Sequence, residues 1–175
     1  HCHLEPDAAI AYWEAGGRLT LICTTQGPHY TKKSLARRIF KGQLTEGQIR
    51  IITPYLGGGF GARLALNVEP VAALLSQKAN KPVRVTTTRE EDFAGWGGRT
   101  EQYQSMQLGC TKEGDLTAVK HRITTDAGGY YSASGTVALV NMQMTLGLFR
   151  CPNVDGAMEV VYTNTPTTSG FRGYG

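Results

Sequence analysis

The 175-residue sequence predicts an α+β fold, with a mixed and largely antiparallel sheet and a few helices. Three observations predict this fold. Two runs of alternating apolar residues flank Gly16-Gly17, which is typical of a β-hairpin. A strand, a glycine-rich loop, a helix and another strand follow one another between Gln48 and Thr87. Farther along, two more alternating runs flank a turn at Lys112–Asp115.

The first half of the chain alternates between predicted strands and helices. Apolar residues spaced by four predict a helix over Thr31–Lys41. A second helix is predicted over Val68–Ala79, with Asn67 as its cap and Glu69 placed favourably for the helix dipole. The strands predicted here are Ala8–Trp13, Arg18–Thr24, Gln48–Thr53 and Val83–Thr87.

The second half begins with a polar, glycine-rich stretch, Arg89–Gly98, which we interpret as a loop. Its adjacent carboxylates, Glu90, Glu91 and Asp92, are expected to form a solvated face. A helix is predicted over Thr136–Leu148, and the tail Thr163–Gly175 is expected to be irregular. The strands predicted here are Glu101–Cys110, Leu116–Thr125 and Asn153–Tyr162.

Composition excludes several classes of protein. A hydrophobic content of 41% and a charged content of 18% are typical of a globular chain. No apolar run reaches the roughly 20 residues of a membrane-spanning helix, and no signal peptide is recognisable. The basic cluster Lys32–Lys41 is interpreted as a solvated helix face, because no aromatic stacking platform for nucleic acid accompanies it. The four cysteines form no C-x-x-C pair, so we expect reduced thiols and a cytoplasmic protein.

The strongest local feature is the loop Gly57-Gly58-Gly59-Phe60-Gly61, between a predicted strand and a predicted helix. Such a loop exposes backbone N–H groups that can hold an anion or an oxygen-rich cofactor. A dinucleotide fingerprint is excluded, because Pro54 interrupts the strand and Val71–Thr88 contains no acidic residue. The large ring of Phe60 within the loop favours a functional role over a flexible turn.

Six short motifs occur in one order along the chain, and together they are specific. They are His3-Leu4-Glu5-Pro6, Thr25-Gln26-Gly27-Pro28, Tyr55-Leu56-Gly57-Gly58-Gly59-Phe60-Gly61-Ala62-Arg63, Thr88-Arg89-Glu90-Glu91-Asp92-Phe93, Asp126-Ala127-Gly128-Gly129-Tyr130 and Phe171-Arg172-Gly173-Tyr174-Gly175. The series resembles the molybdopterin-binding large subunit of the xanthine oxidase and aldehyde oxidase family. The resemblance implies that residues 1–175 are a fragment of the molybdenum-cofactor-binding domain of a larger subunit.

The resemblance implies roles for individual residues around the cofactor. Gln26 matches a glutamine whose amide hydrogen-bonds to a molybdenum ligand, and the glycine loop matches a segment whose backbone approaches the metal and the pterin. Arg172 matches an arginine that borders the metal site. No residue of the chain is expected to bind the metal directly. The implied cofactor-binding residues are therefore Gln26, Gly58, Gly59, Phe60, Gly61 and Arg172.

The resemblance also implies three positions near the substrate. Tyr174 matches an aromatic residue that packs on the substrate in purine-oxidising members. Arg99 matches an arginine of the substrate pocket, although a solvated loop charge explains it equally well. Leu64 occupies the position where purine-oxidising members carry a glutamate. Because an apolar side chain cannot pair with the polar edge of a purine, Leu64 disfavours xanthine as the substrate.

The activity implied by the resemblance is hydroxylation of an aldehyde or N-heterocycle, with water as the oxygen source. The general-base glutamate of such enzymes is expected beyond Gly175, so the chain holds no catalytic residue and is expected to be inactive, and prone to self-association, on its own. The implied cofactor is molybdenum–molybdopterin, with the cytosine dinucleotide form left open, and 2Fe-2S and FAD on partner domains or subunits. Two alternatives remain, a reductive dehydroxylase of the same family and a cofactor-free structural or assembly paralogue.

Overall fold

A computed structural model describes residues 2–95, 98–129 and 134–165. These residues divide into two compact units, residues 2–95 and residues 98–165. Each unit contains one β-sheet, with helices packed on the first sheet and one described helix packed on the second, as the sequence predicts for an α+β fold. No helix within the described ranges is both long enough and apolar enough to cross a membrane.

The first unit is built on a four-stranded sheet with the strand order β3-β2-β1-β4. Strand β1 pairs antiparallel with both β2 and β4, whereas β2 pairs parallel with β3. The predicted hairpin at Gly16-Gly17 is confirmed as the β1–β2 turn, and both glycines have positive φ angles, 86° and 75°. The strands are β1 (Ala8–Glu14), β2 (Arg18–Cys23), β3 (Ile49–Ile52) and β4 (Val83–Thr86).

Up to residue 79, the first unit contains the two α-helices that the sequence predicts, but their ends differ from the predicted ones. Helix α1 (Pro28–Ser34) begins three residues earlier than predicted, because Pro28 suits the first turn of a helix, and it continues as a π-helical turn over Leu35–Ile39. Helix α2 (Glu69–Ala79) is capped by Val68 instead of Asn67. Short 3-10 turns occupy Glu46–Gln48 and Ala62–Leu64.

The core of the first unit lies between the sheet and the helices. Helix α2 presents the small residues Ala72 and Ala73 to the sheet, and both are fully buried. The ring of Trp13 packs edge-on against Phe40, with centroids 5.7 Å apart, and its indole N–H donates to the carbonyl oxygen of Ala73 at 3.3 Å. Burial of each large apolar side chain here contributes roughly 1.5–3 kcal/mol. The largest fully buried apolar side chains of this unit are Leu19, Leu21, Leu35 and Ile49.

The predicted loop Arg89–Gly98 is wrong over most of its length, because Arg89–Gly95 forms helix α3. Thr88 and Glu91 form a reciprocal capping box: the Glu91 N–H donates to Thr88 Oγ1 at 3.2 Å, and the Thr88 N–H donates to Glu91 Oε2 at 2.8 Å. The expected solvated face of carboxylates is also wrong for Asp92, which is buried. A Thr-x-x-Glu spacing was the available signal for this helix start.

The second unit contains a three-stranded sheet with the order β5-β6-β7. Strands β5 (Gln102–Cys110) and β6 (Leu116–Gly128) are antiparallel around the predicted turn, whereas β6 and β7 (Asn153–Tyr162) are parallel. A parallel pair needs a crossover connection, which helix α4 (Ser134–Leu148) provides. A Cβ atom at Gly156 would lie 2.6 Å from Leu146 Cδ1, so this glycine allows α4 to pack closely on β7.

Candidate functional site

Gln26 lies against the glycine-rich loop, although 35 residues separate it from Gly61 in the sequence. Gln26 follows β2 and directly precedes Gly27, the N-cap of α1. Its side-chain Oε1 accepts hydrogen bonds from the backbone N–H of Gly61 at 2.9 Å and of Arg63 at 3.3 Å. Its own backbone N–H donates to the carbonyl oxygen of Arg63 at 2.9 Å. The structure therefore brings together the two segments that the sequence predicted to share a site.

The loop approaches Gln26 so closely that only glycine fits at one position. A Cβ atom built on Gly59 would lie 2.6 Å from Gln26 Cγ and would overlap the amide group of the same side chain. A Cβ atom on Gly58 would lie 3.0 Å from His3 Cβ and 3.1 Å from a ring carbon of Phe60. Close backbone approach is thus the reason for the glycine cluster at Gly58 and Gly59.

Backbone strain is concentrated at the end of the loop. Gly61 has a φ angle of 91°, which glycine adopts without cost, but Phe60 has a φ angle of 51°, which is unusual for a residue with a side chain. The Phe60 side chain remains 58% exposed within its unit. A strained, exposed aromatic residue contributes little to the core, and such strain clusters at ligand-binding sites.

The hydrogen bonds of Gln26 fix which side of its amide is free. Both partners of Oε1 are backbone N–H groups, which can only donate, so the oxygen must face the loop and the Nε2 group must face away from it. No described residue accepts a hydrogen bond from Nε2. Gln26 therefore offers an NH₂ donor on the open side of the loop.

The loop backbone adds further donors beside this amide. The N–H groups of Gly58, Gly59 and Phe60 donate to no described residue, in contrast to those of Gly57 and Gly61. Successive unpaired N–H groups can hold an anionic or oxygen-rich ligand. The site thus combines backbone donors, a side-chain donor and an exposed aromatic ring.

A network of buried charged residues supports the glycine-rich loop. Arg63 is 1% exposed, and its Nε lies 2.9 Å from Asp7 Oδ1, an ion pair that does not have the geometry of a linear hydrogen bond. Asn67 Nδ2 donates to the other oxygen of Asp7 at 2.6 Å and to the carbonyl oxygen of Ala62 at 3.2 Å. Burial raises the pKa of Asp7, while Arg63 and Asn67 oppose this rise. The ionised carboxylate therefore depends on its buried partners.

Within the described residues, potential metal ligands come together at His3, Asp7 and Asp92, whose ligand atoms lie within 4.8 Å of one another. His3 is buried, and both of its ring nitrogens are without a hydrogen-bond partner in the described chain. Both carboxylates already face guanidinium groups, however, because Arg63 pairs with Asp7 and Arg89 pairs with Asp92 at 3.4 Å. We therefore interpret the cluster as ion-paired support for the loop.

Glu69 is a second buried carboxyl group next to this network. It begins α2, is 3% exposed, and its Oε2 accepts the backbone N–H of Asn67 at 2.7 Å. Burial is the largest influence on this group and raises the pKa of Glu69 to about 6, although the hydrogen bonds from Asn67 and from its own N–H act in the opposite direction. Its place in the first turn was predicted, but its burial was not.

The raised pKa of Glu69 predicts a pH dependence of stability. The folded state binds the proton more tightly than the unfolded state, whose ordinary value is 4.5, so this stabilisation is present below pH 4.5 and is lost as the pH rises through about 6. The free energy of unfolding of the wild type relative to Glu69→Gln is expected to fall by about 2 kcal/mol between pH 4.5 and pH 7. Urea unfolding across this range measures it.

A matched control is Glu113→Gln, in the exposed turn after β5, which should reproduce the wild-type profile. A Glu69→Gln variant with the same pH profile as the wild type would show that Glu69 is not desolvated in the folded protein.

A family model described as the molybdopterin cofactor-binding domain matches residues 1–175. The chain belongs to this family. The match confirms the resemblance that the six sequence motifs predicted, and it covers both the Gln26 segment and the glycine loop.

Curated relatives of this molybdopterin-binding chain are considerably longer. The chain is 35% identical over 175 residues to the nicotinate dehydrogenase large molybdopterin subunit of Eubacterium barkeri, covering all of this chain and 40% of that protein. It is 32% identical over 177 aligned positions to the xanthine dehydrogenase of Dictyostelium discoideum, covering all of this chain and 13% of that protein. The chain therefore spans less than half the length of these relatives.

Solved structures with the same fold confirm the α+β architecture. The aldehyde oxidoreductase from Desulfovibrio gigas matches with a TM-score of 0.84 and 26% identity, over 100% of this chain and 19% of that chain. The quinoline 2-oxidoreductase from Pseudomonas putida 86 matches with a TM-score of 0.77 and 28% identity, over 98% of this chain and 22% of that chain.

Two of the remaining predicted site residues, Leu64 and Arg99, lie within the described part of the chain. Leu64 is half-buried in the first unit, and its Cδ2 lies 3.6 Å from where a Cβ atom of Gly27 would be, so it borders the Gln26 turn. Arg99 belongs to the second unit, precedes β5 and is exposed. Arg172 and Tyr174 lie outside the described residues. The roles of Leu64, Arg99, Arg172 and Tyr174 stay predictions.

Sequence reasoning missed the charged residues that support the loop of this molybdopterin-binding domain. Glu5, Arg63 and Asp92 occur inside three of the six motifs, and this placement was the available signal. The burial of Arg63 could not be predicted from the sequence, because arginine is rarely fully buried unless it is paired with an opposite charge. The missed residues are Glu5, Asp7, Arg63 and Asp92.

Proposed function

We propose that the chain forms part of the cofactor cradle in the catalytic subunit of a molybdenum hydroxylase. The proposed reaction is hydroxylation of an aldehyde or an N-heterocycle, with water as the source of oxygen. Family membership supports a bound molybdopterin. Relatives whose names specify nicotinate, quinoline and an aldehyde support the two substrate classes.

The observation that carries this proposal is the fixed orientation of the Gln26 amide. Two backbone N–H groups hold its Oε1 against the loop, so its Nε2 is presented as a donor without rotating at the moment of reaction. A donor fixed in advance stabilises a partial negative charge at little reorganisation cost. Such a donor would hold an oxygen atom of a bound cofactor.

The residues present fit a molybdopterin cofactor. Gln26 and the unpaired N–H groups of Gly58, Gly59 and Phe60 supply donors for oxygen-rich groups, and the absent Cβ of Gly59 allows the loop backbone to lie against the Gln26 side chain. When bound, the cofactor would supply the two-electron redox chemistry of the hydroxylation. Gly61 contributes indirectly, because its N–H is used to hold Gln26. We propose that Arg172 completes the cradle.

The chain positions the reactants, and we propose that the general base lies outside residues 1–175. Glu69 is unsuited to that role, because it is buried at the start of α2 and bound to the Asn67 N–H. The strained Phe60 backbone places its exposed ring at the loop end, where the ring can exclude water from a bound ligand. The apolar Leu64 favours a substrate other than xanthine, and Arg99 and Tyr174 are proposed as further substrate contacts.

The finer features of the holoenzyme belong to the same proposal. We propose that 2Fe-2S and FAD groups on partner domains or subunits accept the electrons, that the pterin is the cytosine dinucleotide form, and that the enzyme is cytoplasmic. A relative that is named as a large molybdopterin subunit supports an assembly of several subunits.

The direct test is an isotope experiment on the full-length protein purified from its native host. Aromatic aldehydes and N-heterocyclic acids are offered with an artificial electron acceptor, and the source of oxygen is followed for the heterocycles in water labelled with oxygen-18, because the carbonyl oxygen of an aldehyde exchanges with water. The proposal expects one labelled oxygen atom in each molecule of hydroxylated heterocycle. Product oxygen that comes from O₂ would contradict it, as would the absence of turnover in protein that contains a full complement of molybdenum.

A further inference from the structure

One carboxylate oxygen joins the two ends of the glycine loop. Glu5 Oε2 accepts the backbone N–H of Gly57 at 2.6 Å, at the start of the loop, and the Nη1 of Arg63 at 2.9 Å, at its end. The Glu5 backbone N–H also donates to the Gly57 carbonyl oxygen at 3.3 Å. A Cβ atom on Gly57 would lie 3.0 Å from Glu5 Oε2 and even closer to Glu5 Cβ, so the glycine at this position permits the contact.

Arg63 transmits this connection to Gln26. Its guanidinium group contacts the Glu5 carboxylate, the Glu5 carbonyl oxygen and the Asp7 carboxylate. Its backbone N–H donates to Gln26 Oε1, and its carbonyl oxygen accepts the Gln26 N–H and, at 3.2 Å, the hydroxyl group of Thr25. A displacement of Arg63 therefore moves one of the two N–H groups that orient the Gln26 amide, together with the carbonyl oxygen that holds the Gln26 backbone.

We propose that Glu5 and Arg63 are positioning residues for the cofactor donors. They form a clamp, defined as the Glu5 carboxylate, the Arg63 guanidinium and the Gly57 N–H, which sets the spacing of the loop and the orientation of Gln26. The inference rests on the proposed function, since the oriented donors are those proposed to hold the cofactor. Both residues act through Gln26 and the loop backbone, which they hold by hydrogen bonds.

The two side chains of the clamp differ in their exposure to solvent. The Arg63 side chain is fully buried, whereas the Glu5 side chain is 37% exposed. Removing the Glu5 carboxylate therefore leaves no cavity in the core, and its main consequence is the loss of charge-assisted hydrogen bonds to Gly57 and Arg63. Glu5 is for this reason the residue at which the clamp can be opened without unfolding the unit.

The experiment compares Glu5→Ala with Glu5→Gln in the full-length protein as isolated from its native host. Hydrogen exchange of the Gly57, Gly61 and Arg63 amides is measured at single-residue resolution. Glu5→Ala is expected to accelerate exchange by roughly ten- to a hundredfold, the loss expected for hydrogen bonds to a charged group. Glu5→Gln retains an acceptor oxygen and is expected to restore most of the protection.

A structural control and a second measurement complete the design. Ile49→Val alters the buried core without contacting the clamp, and it should leave the exchange of the loop amides unchanged. Molybdenum retained per protomer should fall severalfold in Glu5→Ala and recover in Glu5→Gln. Unchanged loop exchange in Glu5→Ala would overturn the clamp, as would accelerated exchange together with undiminished molybdenum.

A failure of the proposed function can be distinguished from a failure of the clamp. A wild-type protein without molybdenum or pterin would contradict the hydroxylase assignment and, with it, the role of the clamp in cofactor positioning. Faster exchange of the loop amides in Glu5→Ala would in that case assign the clamp to the loop structure alone.

Discussion

Replacement of Gln26 by glutamate is expected to lower the hydroxylase activity of the full-length subunit by about 10²- to 10³-fold while preserving the loop. A glutamate carboxylate retains an oxygen that can accept the N–H groups of Gly61 and Arg63, so the two bonds seen at 2.9 and 3.3 Å are kept. The free side of the residue, however, changes from an NH₂ donor to an anionic acceptor. Loss of one oriented donor at a reacting centre typically has an effect of this size.

Two further variants separate the functions of the Gln26 amide. Gln26→Ala removes the acceptor as well as the donor, so it should also accelerate hydrogen exchange of the Gly61 amide. Gln77→Ala, at an exposed position on α2, is the matched control and should keep wild-type turnover. Turnover is measured under saturating substrate, with rates divided by the molybdenum content. A Gln26→Glu variant with wild-type turnover per molybdenum would exclude Gln26 from the reacting centre.

Replacement of Arg63 by methionine is expected to lower the free energy of unfolding by about 3–5 kcal/mol, the cost of leaving a buried charge without its partner. Methionine fills part of the space but cannot neutralise Asp7, which is 2% exposed and would retain only the Asn67 amide. The pKa of Asp7, already raised by burial, should rise further. Urea unfolding at pH 7 measures the effect.

A double substitution distinguishes charge from packing in this prediction. Because the penalty comes from an uncompensated carboxylate, adding Asp7→Asn to Arg63→Met should recover part of the lost stability. Arg18→Met is the matched control, since its pair with Glu14 is exposed and should contribute little to stability. A loss of stability in Arg63→Met no larger than that in Arg18→Met would contradict the buried ion pair.

Within the described residues, all seven strands and three of the helices, α1, α2 and α4, could be predicted because periodicity and turn chemistry agree with the final packing. Asn153–Tyr162 was predicted residue for residue, and the Gly16-Gly17 hairpin follows from the need for positive φ angles in a tight turn. Parallel pairing of β2 with β3 and of β6 with β7 could not be predicted, because alternation within a strand carries no information about the direction of its partner.

Helix α3 shows where local composition misled the prediction. The stretch after β4 is rich in charged residues, which indicates solvent exposure, but its Thr88–Glu91 capping box starts a helix. Asp92 then turns inward, where its Oδ1 accepts the Thr87 hydroxyl at 2.5 Å and the Asp7 N–H at 3.3 Å. Burial of a carboxylate depends on such tertiary partners, and a single sequence does not display them.

The motifs indicated two segments of the candidate site but not its geometry or its charged support. The motifs brought attention to Gln26 and Phe60, and the structure places the Gln26 side chain on the backbone of the Phe60 loop. The orientation of the amide depends on which groups oppose Oε1, and the buried charge of Arg63 depends on Asp7. Both are contacts between segments that lie 35 or more residues apart, so local sequence patterns could not reveal them.

The proposed function requires that this molybdopterin-binding chain belong to a subunit that carries its cofactor. The molybdenum and pterin content of the full-length protein, purified from its native host, is therefore the decisive measurement. We expect close to one molybdenum atom and one pterin for each protomer. A protein without molybdenum or pterin, from cells that load other molybdenum enzymes, would contradict the proposed function and favour a cofactor-free paralogue.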